Sequence, residues 1–241
     1  MRLFDIHCHI LPGVDDGSKN METSLDMLRI AYEEGTRNIV LTPHYYLEGI
    51  DYTYDQLDKI FEELKEKASE DPKLSEINLY LGNEIYYEDG ILTRLKQGHI
   101  HTMNNTKYVL VEYNIDTAYS EILHSIDELS AARYLPVIAH VERYMKLQGK
   151  IDRIEELISR GCLLQMNISS IDGGFFDDNK KWCRKLVKNG YITFFATDAH
   201  NLDSRAPYTR DYISWIEKKC EDAEFMLETA AQMMIEGKYI N

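Results

Sequence analysis

No stretch of this chain approaches the roughly 20 consecutive apolar residues of a membrane-spanning helix, and the N-terminus lacks the apolar core of a signal peptide. Cysteine is scarce. Cys8, Cys162, Cys183 and Cys220 lie far apart without a Cys-x-x-Cys pair, so they read as reduced thiols of a cytoplasmic protein. None has an arginine six positions on, which removes the phosphate cradle of a thiolate tyrosine phosphatase. Positive charge is also in deficit, with 27 Lys and Arg against 41 Asp and Glu. The resulting net charge of −14 argues against nucleic acid, whose phosphates it would repel. The Gly-rich phosphate loop that opens a doubly wound sheet is missing after the first strand. Linkers, repeats and low-complexity tracts are absent too, so residues 1–241 are expected to form a single domain.

What is present is an alternation of short apolar runs and amphipathic segments. After a first strand at Asp5–His9, Asn20 or Ser24 can cap a helix carrying Leu25, Leu28, Ala31 and Tyr32, with Gly35 as its stop. Strands are expected at Asn38–Thr42, Ile77–Leu81, Tyr108–Val111, Pro136–Ala139, Leu163–Asn167 and Ile192–Ala196. Between them fall helices marked by Leu57, Ile60, Phe61 and Leu64, by Ile122, Ile126 and Leu129, by Ile151–Arg160, and by Trp182, Leu186 and Val187. Asp177 or Asp178 can cap the last of these, and two further helices follow from about Asp211. Strand and helix thus alternate about seven times, which predicts an α/β barrel of parallel strands.

The polar residues fall at one end of those strands. His7 and His9, His44, Glu84, Glu112, His140, and Asp198 with His200 each follow an apolar run. In a barrel the C-terminal strand ends share one face, where active sites lie. His7 and His9 are two apart on an extended segment, so both imidazoles point the same way. Asp15 and Asp16 follow in a turn flanked by Gly13 and Gly17. Mixed imidazole and carboxylate donors suit manganese, iron or zinc better than magnesium or calcium. The donors are too many for one ion, which points to a cluster of two or three.

The motifs Asp-Ile-His-Cys-His-Ile-Leu-Pro with Asp-Asp-Gly, Thr-Pro-His, Gly-Asn-Glu-Ile-Tyr-Tyr, Ala-His-Val-Glu-Arg-Tyr and Thr-Asp-Ala-His-Asn occur in this order between Asp5 and Arg205. The sequence resembles the polymerase-and-histidinol-phosphatase (PHP) family. Within it, the chain is most similar to the protein-tyrosine phosphatases of capsule and exopolysaccharide gene clusters in Gram-positive bacteria. That resemblance implies a distorted seven-stranded (β/α)7 barrel of PHP type and three metal positions. His7, His9, Glu84 and Asp198 would hold the first; Glu84, Glu112 and His140 the second; Asp16, His44 and His200 the third, with Asp15 as the alternative to Asp16. It also implies that Arg143 and Arg205 meet the substrate phosphate, as a planar guanidinium suits two of its oxygens.

The implied reaction is direct hydrolysis of phosphotyrosine by a metal-bridging hydroxide, with manganese as the first choice and iron or zinc as alternatives. Asp198 or a metal-bound water would assist the leaving phenolate. The implied partner is the C-terminal tyrosine cluster of a bacterial tyrosine kinase that controls polysaccharide export, and a homo-oligomer stays open. Two rivals remain: a small-molecule phosphatase of histidinol-phosphatase type, and a non-catalytic binding module with an inert metal site. Some residues are set aside. His99 and His101 precede a strand and read as solvated loop histidines, His124 as part of a polar helix face, and Cys8 as a core residue. The cluster Tyr45, Tyr46, Tyr52 and Tyr54 either lines the substrate mouth or covers the barrel.

Overall fold

Strands covered on both faces read as continuous apolar runs rather than alternating ones, and that is how the strands of this protein read. The computed structural model describes residues 1–49, 52–172 and 178–240. It begins with β1 (Phe4–Cys8), α1 (Met21–Glu34), β2 (Asn38–Leu41), β3 (His44–Tyr45) and α2 (Tyr54–Ser69). Next come β4 (Asn78–Leu81), β5 (Glu84–Tyr86), α3 (Ile91–Lys96), β6 (Tyr108–Glu112), α4 (Tyr119–Ala131) and β7 (Leu135–Ile138). The chain continues through α5 (Ile151–Ser159), β8 (Leu163–Asn167), α6 (Asp178–Lys188), β9 (Phe194–Ala196), α7 (Arg210–Lys219) and α8 (Ala230–Ile235). Asn20 caps α1 by accepting from the Thr23 amide, and Gly35 ends it at φ 101°. Of the two candidate caps for α6, Asp178 is its first residue and Asp177 lies outside the described residues.

All strand pairings are parallel. They run β1-β2-β4 in one sheet and β3-β5-β6-β7-β8-β9 in the other. The expected strands at 38–42 and 77–81 are each interrupted, at Thr42-Pro43 and Gly82-Asn83, and resume as β3 and β5. These breaks carry the pairing from one sheet to the next. On the other side β9 closes on β1: the Asp198 amide donates to the His7 carbonyl and the His9 amide to the Ala199 carbonyl, both at 2.8 Å. The wall therefore curls round as an α/β barrel, with β9 starting later than the expected Ile192. The short helix α3 carried no clear sequence signal.

Strand alternation sorts the core. Val109 and Val111 pack with Ile138, Leu164, Met166 and Phe195 under α4 to α7, while β1 and β2 pack against Met27, Leu28, Leu57 and Phe61 of α1 and α2. The opposite strand faces supply Phe4, Ile6, Val40, Tyr108, Leu110, Val137, Phe194 and Ala196, which meet Ala230 and Met234 of α8. Tyr108 and Leu110 continue, at the same period of two, to Glu112, and Asp198 comes two residues past the end of β9. The inner face thus runs from apolar side chains into charged ones at its C-terminal rim.

Candidate metal centre

Two residues at that rim have left-handed backbones that side chains other than glycine rarely adopt: His140 at φ 32° and Asp198 at φ 53°. Each lies two residues past the end of its strand, β7 or β9, and the turn there places its side chain among the other rim residues. A third device is Gly17. A Cβ there would sit 2.1 Å from the His9 carbonyl oxygen, so only glycine lets the 13–18 turn close over β1. This turn presents Asp15 and Asp16 in different directions. Asp15 accepts from His9 Nδ1 at 2.8 Å, from the Gly17 amide at 2.9 Å and from the His44 amide at 3.1 Å. Asp16 Oδ1 faces outward, 3.4 Å from Nε2 of both His44 and His200.

Glu84 occupies the centre and is buried. Its carboxylate lies 3.1 Å from His7 Nε2, 3.2 Å from His9 Nε2, 3.1 Å from His44 Nδ1 and 2.8 Å from His140 Nε2. Glu112 reaches the same space, 3.0 Å from His44 Nδ1 and 3.6 Å from His140 Nε2. Asp198 Oδ1 is 3.6 Å from His7 Nε2 and 3.5 Å from His9 Nε2. Three overlapping groups could each surround an ion: His7, His9 and Asp198; His44, Glu84 and Glu112; and His9, Asp16, His44 and His200. All nine expected ligand residues thus converge on one rim.

The tautomers suit cations as well. Gln165 Oε1 accepts from the His140 amide at 2.7 Å, which identifies that end of the amide as oxygen; His7 Nδ1, 3.1 Å away, must then donate to it. His9 Nδ1 donates to Asp15, and His200 Nδ1 to the Asp198 carbonyl at 2.9 Å. Three imidazoles therefore have Nδ1 committed and Nε2 free to bind a metal, the usual outer-contact arrangement of metal-binding histidines. His7 Nε2 and His9 Nε2 stand 3.2 Å apart, nitrogen facing nitrogen, where a shared cation resolves the conflict.

Without cations, protons take that role. Burial would lower the His44 pKa, but the Asp16 and Glu112 carboxylates overcome it and push it to about 10. The same contest, with Glu112 and Glu84, takes His140 to about 9. His9 is raised well above its usual range by Asp15, Asp198 and Glu84 despite its burial. Burial alone would raise Glu84, yet the surrounding histidines hold it well below the carboxylate range. Asp198 is likewise held low against its burial, chiefly by His7 and His9.

The two arginines flank Asp198. Arg143 Nη2 lies 2.9 Å from Oδ2 and Arg205 Nη2 2.7 Å from Oδ1, and both side chains are more than a third exposed. They line a hollow of 190 Å³ with Asn167, Ser169 and Tyr208. A separate hollow of 490 Å³ is lined by Asp15, Asp16, His44 and Tyr46.

Several supporting residues escaped the sequence reading. Asn167 donates to Asp198 Oδ2 at 2.8 Å, and Gln165 donates to Asn167 at 3.0 Å. Asp5 grips Thr197 through its amide at 2.9 Å and its hydroxyl at 2.5 Å, and burial pushes its carboxyl up to about 6 against those bonds. Glu142 is buried and accepts from the Asn167 amide at 3.2 Å and Ser170 at 2.7 Å. One signal was available: polar Gln165 and Asn167 sit two apart in an apolar strand, on one face.

Of the residues set aside, Cys8 is buried in the core and His99 and His124 are exposed, as expected. His101 is a correction. It is buried, stacked on Tyr54 with centroids 3.6 Å apart, and 2.9 Å from Asp58. The aromatic partner and the ion pair, both from α2, were too distant in sequence to foresee. The tyrosine cluster divides: Tyr45 is buried in the core, Tyr52 donates to the His44 carbonyl, Tyr54 covers His101, and Tyr46 stands beside His44.

A family model for capsular polysaccharide synthesis proteins, CpsB/CapC, matches residues 3–235. The chain belongs to the CpsB/CapC family. Among its relatives, the tyrosine-protein phosphatase CpsB of Streptococcus agalactiae is 34% identical over 98% of this chain and 96% of its own. The tyrosine-protein phosphatase YwqE of Bacillus subtilis is 30% identical over 99% of this chain and 93% of its own. Crystal structures of YwqE from Bacillus subtilis and CpsB from Streptococcus pneumoniae are described as unique metal-dependent tyrosine phosphatases. One of these structures superposes with a TM-score of 0.88 at 29% identity, over 98% of this chain and 96% of its own. Histidinol phosphate phosphatase of Lactococcus lactis, with zinc, L-histidinol and phosphate, shares the fold at a TM-score of 0.60 and 16% identity, over 93% and 94% of the two chains. Among the described residues no helix of this CpsB/CapC protein is long and apolar enough to cross a membrane.

Proposed function

We propose that this CpsB/CapC protein is a metal-dependent phosphatase that hydrolyses phosphotyrosine on a protein substrate, in regulation of capsular or exopolysaccharide synthesis. The observation that carries it is Glu84, one buried carboxylate within 3.2 Å of nitrogens from four histidines, beside two exposed arginines on the same rim. The near-full-length similarity to tyrosine-protein phosphatases supports the substrate. In this reading His7, His9, Glu84 and Asp198 hold one cation, Glu84, Glu112 and His140 a second, and Asp16, His44 and His200 a third. Manganese is the preferred ion, and residues 1–241 act as one cytoplasmic domain. When bound, such cations supply Lewis-acid activation of water and neutralise charge on the phosphoryl group.

The chain's own residues do the rest. Arg143 and Arg205 turn from Asp198 towards the phosphate and offer paired donors to its non-reacting oxygens. Asp198 stays ionised and anchors both guanidinium groups near the metal donors. Asp15, Gln165 and the Asp198 carbonyl hold His9, His7 and His200 in the tautomer that leaves Nε2 open. Asp16, not Asp15, is the ligand of the pair, because Asp15 is spent on His9 and two backbone amides. The kinase that bears the phosphotyrosine is expected to present it on a flexible tail, since the arginines and Asp16 lie at an open rim.

The test is steady-state hydrolysis of a phosphotyrosine peptide against histidinol phosphate, with manganese and with chelator. Metal-dependent preference for the peptide is expected. Preference for histidinol phosphate would move the chain to small-molecule chemistry, and turnover that survives chelation would overturn the metal reading.

A further inference from the structure

The pairing of β3 with β5 places His44 opposite Glu84 and Tyr45 opposite Ile85. The next step along both chains brings Tyr46 beside Tyr86. Side chains two apart on a strand share a face. Tyr86 therefore stands on the same face as Glu84, roughly 6 to 7 Å further towards the rim at a rise of about 3.3 Å per residue, and Tyr46, the residue after β3, meets it there. Their rings are in contact, with centroids 5.6 Å apart at 42°, and Tyr46 also lies 5.4 Å from the His44 ring. Both are half-buried, and Tyr46 lines the 490 Å³ hollow that opens beside Asp16 and His44. Neighbouring tyrosines have structural duties: Tyr52 donates to the His44 carbonyl and Tyr87 to Glu128. No described residue accepts a hydrogen bond from Tyr46 or Tyr86.

We infer that Tyr46 and Tyr86 form the seat for the aromatic ring of an aryl phosphate, and so set the preference for aryl over alkyl esters. The inference rests on the phosphatase reading above. With the phosphoryl group among the donors around Glu84, the ester oxygen projects out of the barrel mouth. A phenyl ring one bond further on then meets the two tyrosine rings, which offer an edge and a face to it. An alkyl ester of phosphoserine type has no ring to place there and gains nothing from the pair. The tyrosines touch the leaving group, not the reacting atoms, so their effect belongs to binding and specificity.

The experiment measures binding of phenylphosphonate and methylphosphonate to the metal-loaded protein by calorimetry, in the wild type and in Tyr46→Leu, Tyr86→Leu, Tyr46→Phe and Tyr86→Phe. Each leucine variant is expected to lower the phenyl-to-methyl affinity ratio roughly two- to tenfold. The phenylalanine variants, which keep the ring, should retain it. An unchanged ratio in leucine variants that still bind methylphosphonate would overturn the seat while leaving the phosphatase reading intact. A second comparison needs no variant: the wild type should bind phenylphosphonate more tightly than cyclohexylphosphonate, and equal affinity would overturn stacking. Failure of the wild type to hydrolyse any phosphomonoester with metals bound would remove the phosphatase reading and the seat together.

Discussion

Replacing Glu84 by glutamine keeps the shape of the side chain and removes the charge on which four histidines converge. The expected result is loss of bound metal, read by elemental analysis, and a fall in kcat of about a hundred- to a thousandfold, the order seen when electrostatic stabilisation at a reacting centre is removed. Gln165→Leu acts one contact further out. It frees His7 to rotate and to exchange tautomers, and should weaken metal affinity about 10- to 100-fold in a competitive chelator titration. The same residues predict opposite pH responses with and without metal. His44 and His140 have folded-state values raised to about 10 and about 9. In the metal-free protein their contribution to stability is therefore full below about 6.5 and is lost as pH rises through 9 to 10. Glu84, held low, contributes above about 4.5 and is lost as pH falls through its depressed value. Chelated protein should thus melt highest between about pH 4.5 and 6.5. Metal binding must expel the imidazole protons, so apparent affinity should rise with pH from 6 to 9. A flat affinity profile over that range would contradict the ligand assignment.

Among the elements, the 13–18 turn and β8 deserve comparison, because the sequence displayed one and hid the other. The turn was legible: two glycines around two aspartates announce a chain that folds back. Its sterics make Gly17→Ala a sharp test, since the added methyl meets the His9 carbonyl at 2.1 Å. The turn should be displaced, with a lowered Tm and weakened metal binding, in contrast to Gly161→Ala, whose new Cβ meets nothing within 4 Å and strains only its backbone. Strand β8 was recognised as a strand but not as part of the site. Its Gln165 and Asn167 act through hydrogen bonds to residues 25 to 158 positions away, and no local pattern encodes such partners. The interruptions at Thr42-Pro43 and Gly82-Asn83 were hidden for a related reason. A proline reads as a strand end, and the resumption of pairing at His44 depends on β5, forty residues on. What the sequence showed well was the placement of His and carboxylate residues at strand ends, since barrel geometry converts that one-dimensional pattern into a shared rim. His101 shows the converse, as a histidine whose stacking partner comes from another element reads like a loop residue.

For the whole molecule, charge is the property with the widest reach. A chain with a net charge of −14 repels an acidic phosphopeptide at distances beyond the contact zone. Raising ionic strength from about 0.01 M to about 0.15 M shortens the Debye length from roughly 30 to 8 Å. KM for an acidic phosphopeptide should therefore fall with added salt, while kcat, set among the buried donors, should change little. A KM that rises instead would point to a positively charged docking patch. The similarity over nearly the whole chain to CpsB and YwqE makes the same salt response an informative comparison across the family.

The seam between β1 and β9 also has a meaning in time. The first donors, His7 and His9, leave the ribosome early, but Asp198 and the Ala199 carbonyl that completes the seam are made about 190 residues later. At synthesis rates of about 5 to 20 residues per second, that interval is on the order of 10 to 40 s. During it the nascent chain adds Asp16, His44, Glu84, Glu112 and His140 to the first two donors, while the seam that closes the wall stays open. The complete donor set and the closed wall therefore come into being together, only near the end of synthesis.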